Sequence, residues 1–198
     1  MKPMSKVCVY GLNESVRASK YPMSVDVESL TDDITGTVRN LGKAPAGSGH
    51  DNFLNGIVAQ FDLTFSVKAW TEAERYHFFD FVSSQSTMHR ITRFDLDKAY
   101  VEYVDPRAID IMREKINVYN RMKEDGASDE ELAELYLGIL YTNPAGFRLT
   151  ARMTTNYRQL KTIYHQRKAH RLPEWRELCR QIRALPYFEE LCLGGRNE

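Results

Sequence analysis

The sequence of 198 residues lacks the features that mark several large classes of protein. Cysteine is scarce: the thiols of Cys8, Cys179 and Cys192 form no CxxC pair, which indicates reduced thiols rather than a disulfide framework. No apolar run approaches the roughly 20 residues of a membrane span, and the first residues lack the apolar centre of a signal peptide. We therefore expect a cytoplasmic protein with no membrane partner.

Net charge is also absent. The 27 Lys and Arg residues are balanced by 27 Asp and Glu residues, so the chain has no bulk positive charge to attract a nucleic-acid polymer. We expect no such partner. Any site for an anion must therefore be local.

Several common catalytic motifs are missing as well. The histidines at 50, 77, 165 and 170 show neither HxH nor HExxH spacing, so nothing indicates a metal site. The serine-hydrolase motif GxSxG, the phosphate loop GxxxxGK[ST] and the dinucleotide loop GxGxxG do not occur. The chemistry must be sought in less familiar groupings of residues.

What is present is a mixture of short strand patterns and longer helical patterns. The length fits one domain, 1–198, with 194–198 as a frayed tail. The combination predicts an α+β fold. The predicted strands are 6–12, 61–67 and 146–154, and the predicted helices are 13–21, 29–42, 71–82, 106–123, 129–140, 155–167 and 173–185.

Positive charge is concentrated in the segment 154–177, TTNYRQLKTIYHQRKAHRLPEWRE. It carries six Lys or Arg and two His against two acids. On a helix with about 3.6 residues per turn, Arg158 and Arg167 are nine residues apart and point about 180° away from each other. They serve different ligands or different copies of a site shared between subunits, unless the segment is simply a solvated basic face.

A second polar grouping lies in SSQSTMHRITR, residues 83–93. Gln85, His89, Arg90 and Arg93 offer hydrogen-bond donors suited to a phosphate or to the edge of a nucleobase. The alternative is a polar connector whose side chains bond to nearby carbonyls.

The C-terminal motifs resemble those of the flavin-dependent thymidylate synthases. That family has Asn-x-Arg-x-Leu near the start of a long helix and a further Arg eleven residues after the Asn. Here NYRQL provides Asn156, Arg158 and Leu160, and Arg167 stands at the matching distance. LPEWREL lies near the position of the family's Gln-Trp-Glu run, and ARMTT provides Arg152 at the end of a strand.

The N-terminal half resembles the same family more loosely. QSTMHRITRFDLDKAY keeps Gln85, His89 and Arg90 of the family's Gln-x-x-Arg-His-Arg signature, but it has Met88 in place of the first Arg and lacks the serines that follow. HDNFLNG resembles the family's His-x-x-x-Leu helix and provides His50. The order of these pieces is that of a divergent phage or prophage member, which would act in the host cytoplasm.

The resemblance implies a thymidylate synthase complementing protein-like fold, with a small mixed or antiparallel sheet flanked by long helices. It implies a homotetramer with active sites at subunit junctions. It also implies reductive methylation of dUMP to dTMP, with FAD as cofactor, methylenetetrahydrofolate as carbon donor and NADPH as reductant. The flavin contacts would be His50, His89, Arg90, Asn156 and Arg158; the dUMP contacts would be Gln85, Arg93, Arg152 and Arg167, and Arg167 would stabilise negative charge on the pyrimidine.

The departures from the signature leave two alternatives open. The missing serines and Met88 are expected for a homologue that only binds nucleotide or flavin, or that modifies a different pyrimidine nucleotide. A third hypothesis is a phage accessory protein that acts through protein contacts alone.

Overall fold

The computed structural model of the chain describes residues 2–45 and 47–194. Of the predicted frayed tail, residues 195–198 therefore lie outside the described residues. The described residues form a mixed fold of helices and a four-stranded antiparallel sheet, which confirms the α+β prediction. The strands are β1 (Met4–Tyr10), β2 (Val58–Ser66), β3 (Phe79–Ser84) and β4 (Arg148–Asn156), and the helices are α1 (Leu12–Ala18), α2 (Gly36–Lys43), α3 (Val67–Ala73), α4 (Thr87–Arg90), α5 (Leu96–Ala99), α6 (Pro106–Glu124), α7 (Asp129–Thr142), α8 (Tyr157–Arg167), α9 (Pro173–Arg183) and α10 (Phe188–Cys192).

The sheet has the strand order β1-β2-β4-β3, which places β3 at one edge. β1 pairs with β2 in antiparallel register, from Met4 opposite Leu63 to Tyr10 opposite Val58. Along β2, every second side chain is buried, as expected for a strand with one face on the core. The alternation of the predicted strand 61–67 therefore identified the buried face correctly.

The chain contains two compact units. The first consists of the described parts of 1–63, 73–83 and 151–198 and holds the larger core. On α9, apolar side chains at helical spacing are all buried, which gives this helix one core-facing stripe. The large, fully buried side chains of the unit include Phe61, Tyr157, Trp175 and Phe188.

The second unit consists of 64–72 and 84–150 and is built around the α6–α7 hairpin. Pro106 is the first residue of α6, and Ser128 and Glu131 form a capping box at the start of α7, as the sequence predicts. Phe147 stacks edge-on against Tyr100 and Phe94 in the core of this unit. That 1–198 forms a single domain stays a prediction.

The predicted helix 71–82 is wrong. The helix here is α3, which ends at Ala73, and the run FDFVSS forms β3 because aromatic and β-branched residues favour a strand. Thr71 does not cap a helix; its hydroxyl donates to the carbonyl of Lys68 at 2.8 Å, within the helix. Ser66 acts instead at the start of α3, where its Oγ accepts a hydrogen bond from the Ala69 N–H at 3.2 Å.

The predicted helix 29–42 is half right. α2 begins only at Gly36, where Thr35 Oγ1 accepts from the Val38 N–H at 3.3 Å. Upstream, Thr31 Oγ1 donates to the Asp33 carboxylate at 2.8 Å, a local side-chain bond that competes with the helix. The local hydrogen bond between Thr31 and Asp33 therefore outweighs the helical spacing of the apolar residues at 30 and 34.

Candidate ligand-binding site

Strand β4 runs directly into helix α8, and Asn156 stands at the junction. Its Oδ1 accepts a hydrogen bond from the Gln159 N–H at 2.8 Å, so Asn156 is the N-cap of the helix. The next residue, Tyr157, is fully buried and donates its hydroxyl proton to the Pro186 carbonyl at 2.7 Å. The first turn of α8 is thus fixed in place, and the predicted start near residue 155 is right to within two residues.

A buried carboxylate pairs with two cationic side chains of this helix. Asp51 is only 1% exposed, and its two oxygens accept from Arg158 Nε and from Lys161 Nζ, both at 3.1 Å. A buried carboxylate is stable in its charged form only with such partners. One acid therefore faces two cations, and the cluster keeps an excess of positive charge.

Lys161 also fixes the backbone beside the cluster. Its buried ammonium group donates to the carbonyls of Gly42 at 2.8 Å and Ala44 at 2.6 Å, at the C-terminal end of α2. The carbonyls at a helix C-terminus carry partial negative charge, so a cation is favourable there. Together with Asp51, these three contacts hold α2, the segment after it and α8 in one arrangement.

Arg158 and Asp51 border a cavity of about 590 Å³ within the first unit. This volume lies within the usual range for small-molecule sites. The lining is mainly polar on the α8 side and mixes polar and apolar residues elsewhere. The lining residues are Lys43, Ala44, Pro45, Asp51, Asn55, Phe78, Asn156, Arg158, Gln159, Lys161, Thr162, His165, Gln166, Cys192 and Gly194.

The chemistry of the lining favours an anion with a polar edge. The side chain of Arg158 is about one-third exposed, and beyond its bond to Asp51 it makes no further hydrogen bond or ion pair with the described residues. Asn156, Gln159 and Gln166 add amide groups. Burial raises the pKa of the Cys192 thiol, which keeps it protonated and makes it a poor nucleophile.

Arg167 lies in a different environment, as the helical geometry of 154–177 predicts. Its guanidinium group sits over the rings of Tyr76, at 5.4 Å, and Trp175, at 4.9 Å. Its Nε donates to the Tyr76 hydroxyl at 2.6 Å, and that hydroxyl donates to Gln166 Oε1 at 2.9 Å. Arg167 is not among the residues that line the cavity.

Arg152 lies on β4 and bonds within the protein. Its Nη1 donates to the carbonyl of Lys6 at 2.8 Å and to the Asp62 carboxylate at 3.3 Å. The hydrogen bond from Lys6, together with Arg152, holds the pKa of Asp62 below its usual value. The structure therefore places Arg152 in a network across the strands β1, β2 and β4.

Residues 84–93 belong to the second unit and, like Ser83 of the first unit, are largely exposed. Gln85 continues the strand pairing: its N–H donates to the Thr150 carbonyl at 3.0 Å, and its Oε1 accepts from the Thr150 N–H at 2.9 Å. The side chains of His89 and Arg90 on α4, and of Arg93 in the short 3₁₀ turn after it, point to the surface.

Of the predicted site residues, the structure brings only Asn156 and Arg158 to the cavity. His50 is exposed and lies next to the buried Asp51, but it is not itself part of the lining.

Sequence reasoning missed Asp51, Lys161 and Phe78. Lys161 gave a usable signal, because it falls four residues after Tyr157 and three before Tyr164, on the apolar stripe of α8. A lysine at such a position requires a buried acid. No sequence signal indicated Asp51 or Phe78, since both lie far from the helix along the chain.

Two further properties bear on the kind of site. Among residues 2–45 and 47–194, no group of three or more His, Cys, Asp or Glu side chains is arranged to hold a metal ion. Within the same ranges, no helix has the length and apolar character needed to cross a bilayer.

The structure is similar to solved structures of one enzyme. It matches a crystal structure of the flavin-dependent thymidylate synthase ThyX from Helicobacter pylori complexed with FAD and dUMP, with a TM-score of 0.69 and 15% sequence identity, over 98% of this chain and 100% of that one. A second structure of ThyX from Helicobacter pylori, with FAD and dUMP, matches with a TM-score of 0.67 and 13% identity, over 94% of this chain and 95% of that one. No family model and no curated protein sequence matches the chain. At this identity the likeness establishes the fold, and the resemblance drawn from the motifs is confirmed at that level.

Proposed function

We propose that this chain, which has the fold of the flavin-dependent thymidylate synthases, catalyses the FAD-dependent reductive methylation of a pyrimidine deoxynucleotide. The reaction is dUMP to dTMP, with methylenetetrahydrofolate as carbon donor and NADPH as reductant. One observation carries the proposal: Asn156 and Arg158, the two flavin contacts that the Asn-x-Arg motif implies, line one cavity. The solved neighbours of the same fold hold FAD and dUMP.

The residues around this cavity fit a flavin nucleotide. Such a ligand combines a flat ring system, whose edge bears hydrogen-bonding groups, with a negatively charged phosphate portion. Arg158 provides donors and charge for the phosphates, and the amides of Asn156 and Gln159 suit the ring edge. Asp51 holds Arg158 from the other side, so the guanidinium group is oriented before the ligand arrives.

The remaining site residues are assigned by the resemblance. His50, His89 and Arg90 would contact the flavin, while Gln85, Arg93, Arg152 and Arg167 would bind dUMP. In a homotetramer, the opposite directions of Arg158 and Arg167 let one helix serve two sites. A bound flavin would supply the hydride, and Arg167 would hold a fixed positive charge that stabilises negative charge on the pyrimidine.

A second candidate function is a homologue that binds nucleotide or flavin without this chemistry, or acts on another pyrimidine nucleotide. Specific observations favour it. Met88 replaces the first arginine of the signature, and Arg152 and Gln85 are engaged in bonds within the protein. Either residue would have to give up or share those bonds to hold dUMP.

Absorbance and calorimetry separate the two candidates. The enzyme should take up FAD, seen as flavin absorbance that stays with the protein, bind dUMP, and oxidise NADPH with release of tritium from 5-tritiated dUMP. Nucleotide or flavin binding without NADPH oxidation or tritium release would support the second candidate. Protein that takes up neither FAD nor dUMP would contradict both.

Arg158→Ala provides the matched test of the site. FAD binding should weaken at least tenfold, because a charge-assisted contact is worth about 1.5–3 kcal/mol. Arg180→Ala, which removes an exposed arginine of α9, is the control and should bind FAD as the wild type does. If both variants bound FAD with equal affinity, the flavin would not bind in this cavity.

A further inference from the structure

One aromatic side chain of the cavity has an unusual backbone conformation. Phe78 has φ of 58°, in the left-handed region that bulky residues avoid. Its ring is 68% exposed and lines the same cavity as Arg158. An exposed, strained phenylalanine is doubly unfavourable, so its position calls for a physical account.

The neighbours of Phe78 hold it in this conformation. Phe79 is 4% exposed and packs against Phe61, with ring centroids 6.2 Å apart. Tyr76 is tied by its hydroxyl to Gln166. The carbonyl of Phe78 itself accepts a hydrogen bond from the buried Thr155 hydroxyl at 2.6 Å. Because these contacts fix the backbone before and after Phe78, the position from which its side chain lines the cavity is fixed too.

The backbone on either side of Lys43, another residue that lines the cavity, is also fixed. It is the last residue of α2, and Lys161 binds the carbonyls of the residues on either side of it, Gly42 and Ala44. The ammonium group of Lys43 makes no hydrogen bond or ion pair with any residue of the described chain. Its ammonium group is therefore a positive charge on a clamped backbone, available to a ligand.

We propose that Phe78 is the stacking surface for the aromatic ring of the ligand and that Lys43 binds its phosphate. The inference rests on the proposed function, since it assigns two further contacts to the same cavity. An aromatic face packs against any flat heterocycle, and an ammonium group recognises phosphate as a point charge. The ligand class is therefore a nucleotide, and both the flavin and the adenine portions of FAD, as well as dUMP, have this chemistry.

Paired ligands with and without phosphate separate the two roles. Calorimetric titrations would compare FMN with riboflavin, AMP with adenosine, and dUMP with deoxyuridine. Phe78→Leu keeps an apolar side chain but removes the ring, and should weaken both members of one pair about tenfold. Lys43→Met should weaken only the phosphorylated member of that pair, also about tenfold. The affected pair identifies which ring occupies the cavity.

Two matched variants serve as controls. Phe81→Leu removes an exposed phenylalanine of β3 that does not line the cavity, and Lys123→Met removes an exposed lysine of the second unit. Both should bind every ligand within twofold of the wild type. Phe78→Tyr keeps the ring and should retain wild-type affinity.

The outcomes distinguish this inference from the proposed function. If the wild type binds FAD, Arg158→Ala loses it, and both Phe78→Leu and Lys43→Met bind like the wild type, the inference is wrong and the proposed function stands. Equal weakening of both pair members by Lys43→Met would also overturn the phosphate role. If the wild type binds neither FAD nor dUMP, the proposed function fails, and this assignment fails with it.

Discussion

Arg158 and Arg167 lie near opposite ends of one helix, yet the protein holds them by different means. Arg158 is bound by a buried carboxylate that it shares with Lys161. Arg167 is bound by two aromatic faces and a tyrosine hydroxyl. Around Arg158 charge is the main attraction, whereas around Arg167 the flat shape of the guanidinium group also matters.

This difference predicts that substitutions at the two ends of α8 lower the free energy of unfolding by different amounts. At the Asp51 end, removal of the buried Lys161 charge leaves Asp51 with one cation instead of two and takes the donor from two carbonyls, so the loss of stability is large. At the Tyr76 end, each contact is weaker, and a partial replacement keeps part of the binding energy. Four substitutions test the contrast.

The largest effect is expected for Lys161→Met. Asp51 and the carbonyls of Gly42 and Ala44 would lose their buried cation, so the free energy of unfolding should fall by about 3 kcal/mol. Chemical denaturation measures this directly. Lys123→Met, at an exposed position of α6, is the control and should change it by less than about 0.5 kcal/mol. A loss below about 1 kcal/mol for Lys161→Met would contradict the larger sensitivity expected at the Asp51 end.

Arg167→Met tests the aromatic end. Loss of the two ring contacts and the bond to Tyr76 should lower the free energy of unfolding by about 2 kcal/mol. Arg167→Lys keeps the charge but not the flat face, and should recover less than half of that loss. Full recovery by lysine would show that charge alone matters here, as it does at Asp51.

Tyr76→Phe removes one hydroxyl and leaves the ring. Arg167 and Gln166 would each lose a hydrogen bond, while the stacking would remain, so a loss of about 1 kcal/mol is expected in the same denaturation experiment. A loss as large as that of Arg167→Met would mean that the hydroxyl, not the rings, positions the arginine.

The smallest effect is expected at Asp62, where the third arginine, Arg152, is paired on the sheet together with the exposed Lys6. The hydrogen bond from Lys6 lowers the folded-state pKa of Asp62 below its unfolded value. Its contribution to stability is therefore present above the unfolded pKa, near 4, and is lost as the pH falls through the folded pKa. The difference in unfolding free energy between wild type and Asp62→Asn should narrow as the pH falls below about 4. A difference that stays constant from pH 7 to pH 2 would contradict this assignment.

The sequence predicted most of the helices and three of the four strands of the described sheet because those elements follow from local rules. Pro106, Ser128 and Pro173 mark helix starts by their own backbone and side-chain chemistry. The rules failed at 71–82, where a capping pattern at Thr71 competed with the β-forming run FDFVSS. Nothing local showed that the helix would start at Val67, four residues before Thr71.

The candidate site was predictable only in part, and the physical reason is the distance along the chain. The sequence by itself determined that Arg158 and Arg167 face opposite ways, because the turn of an α-helix fixes that angle. It also placed the start of that helix near residue 155, within two residues of Tyr157, where α8 begins. Only the tertiary structure decided their partners: Asp51, 107 residues before Arg158, and Tyr76, 91 residues before Arg167. Buried charges need partners of opposite charge. The spacing of residues along the sequence does not predict which distant residues the fold places beside them.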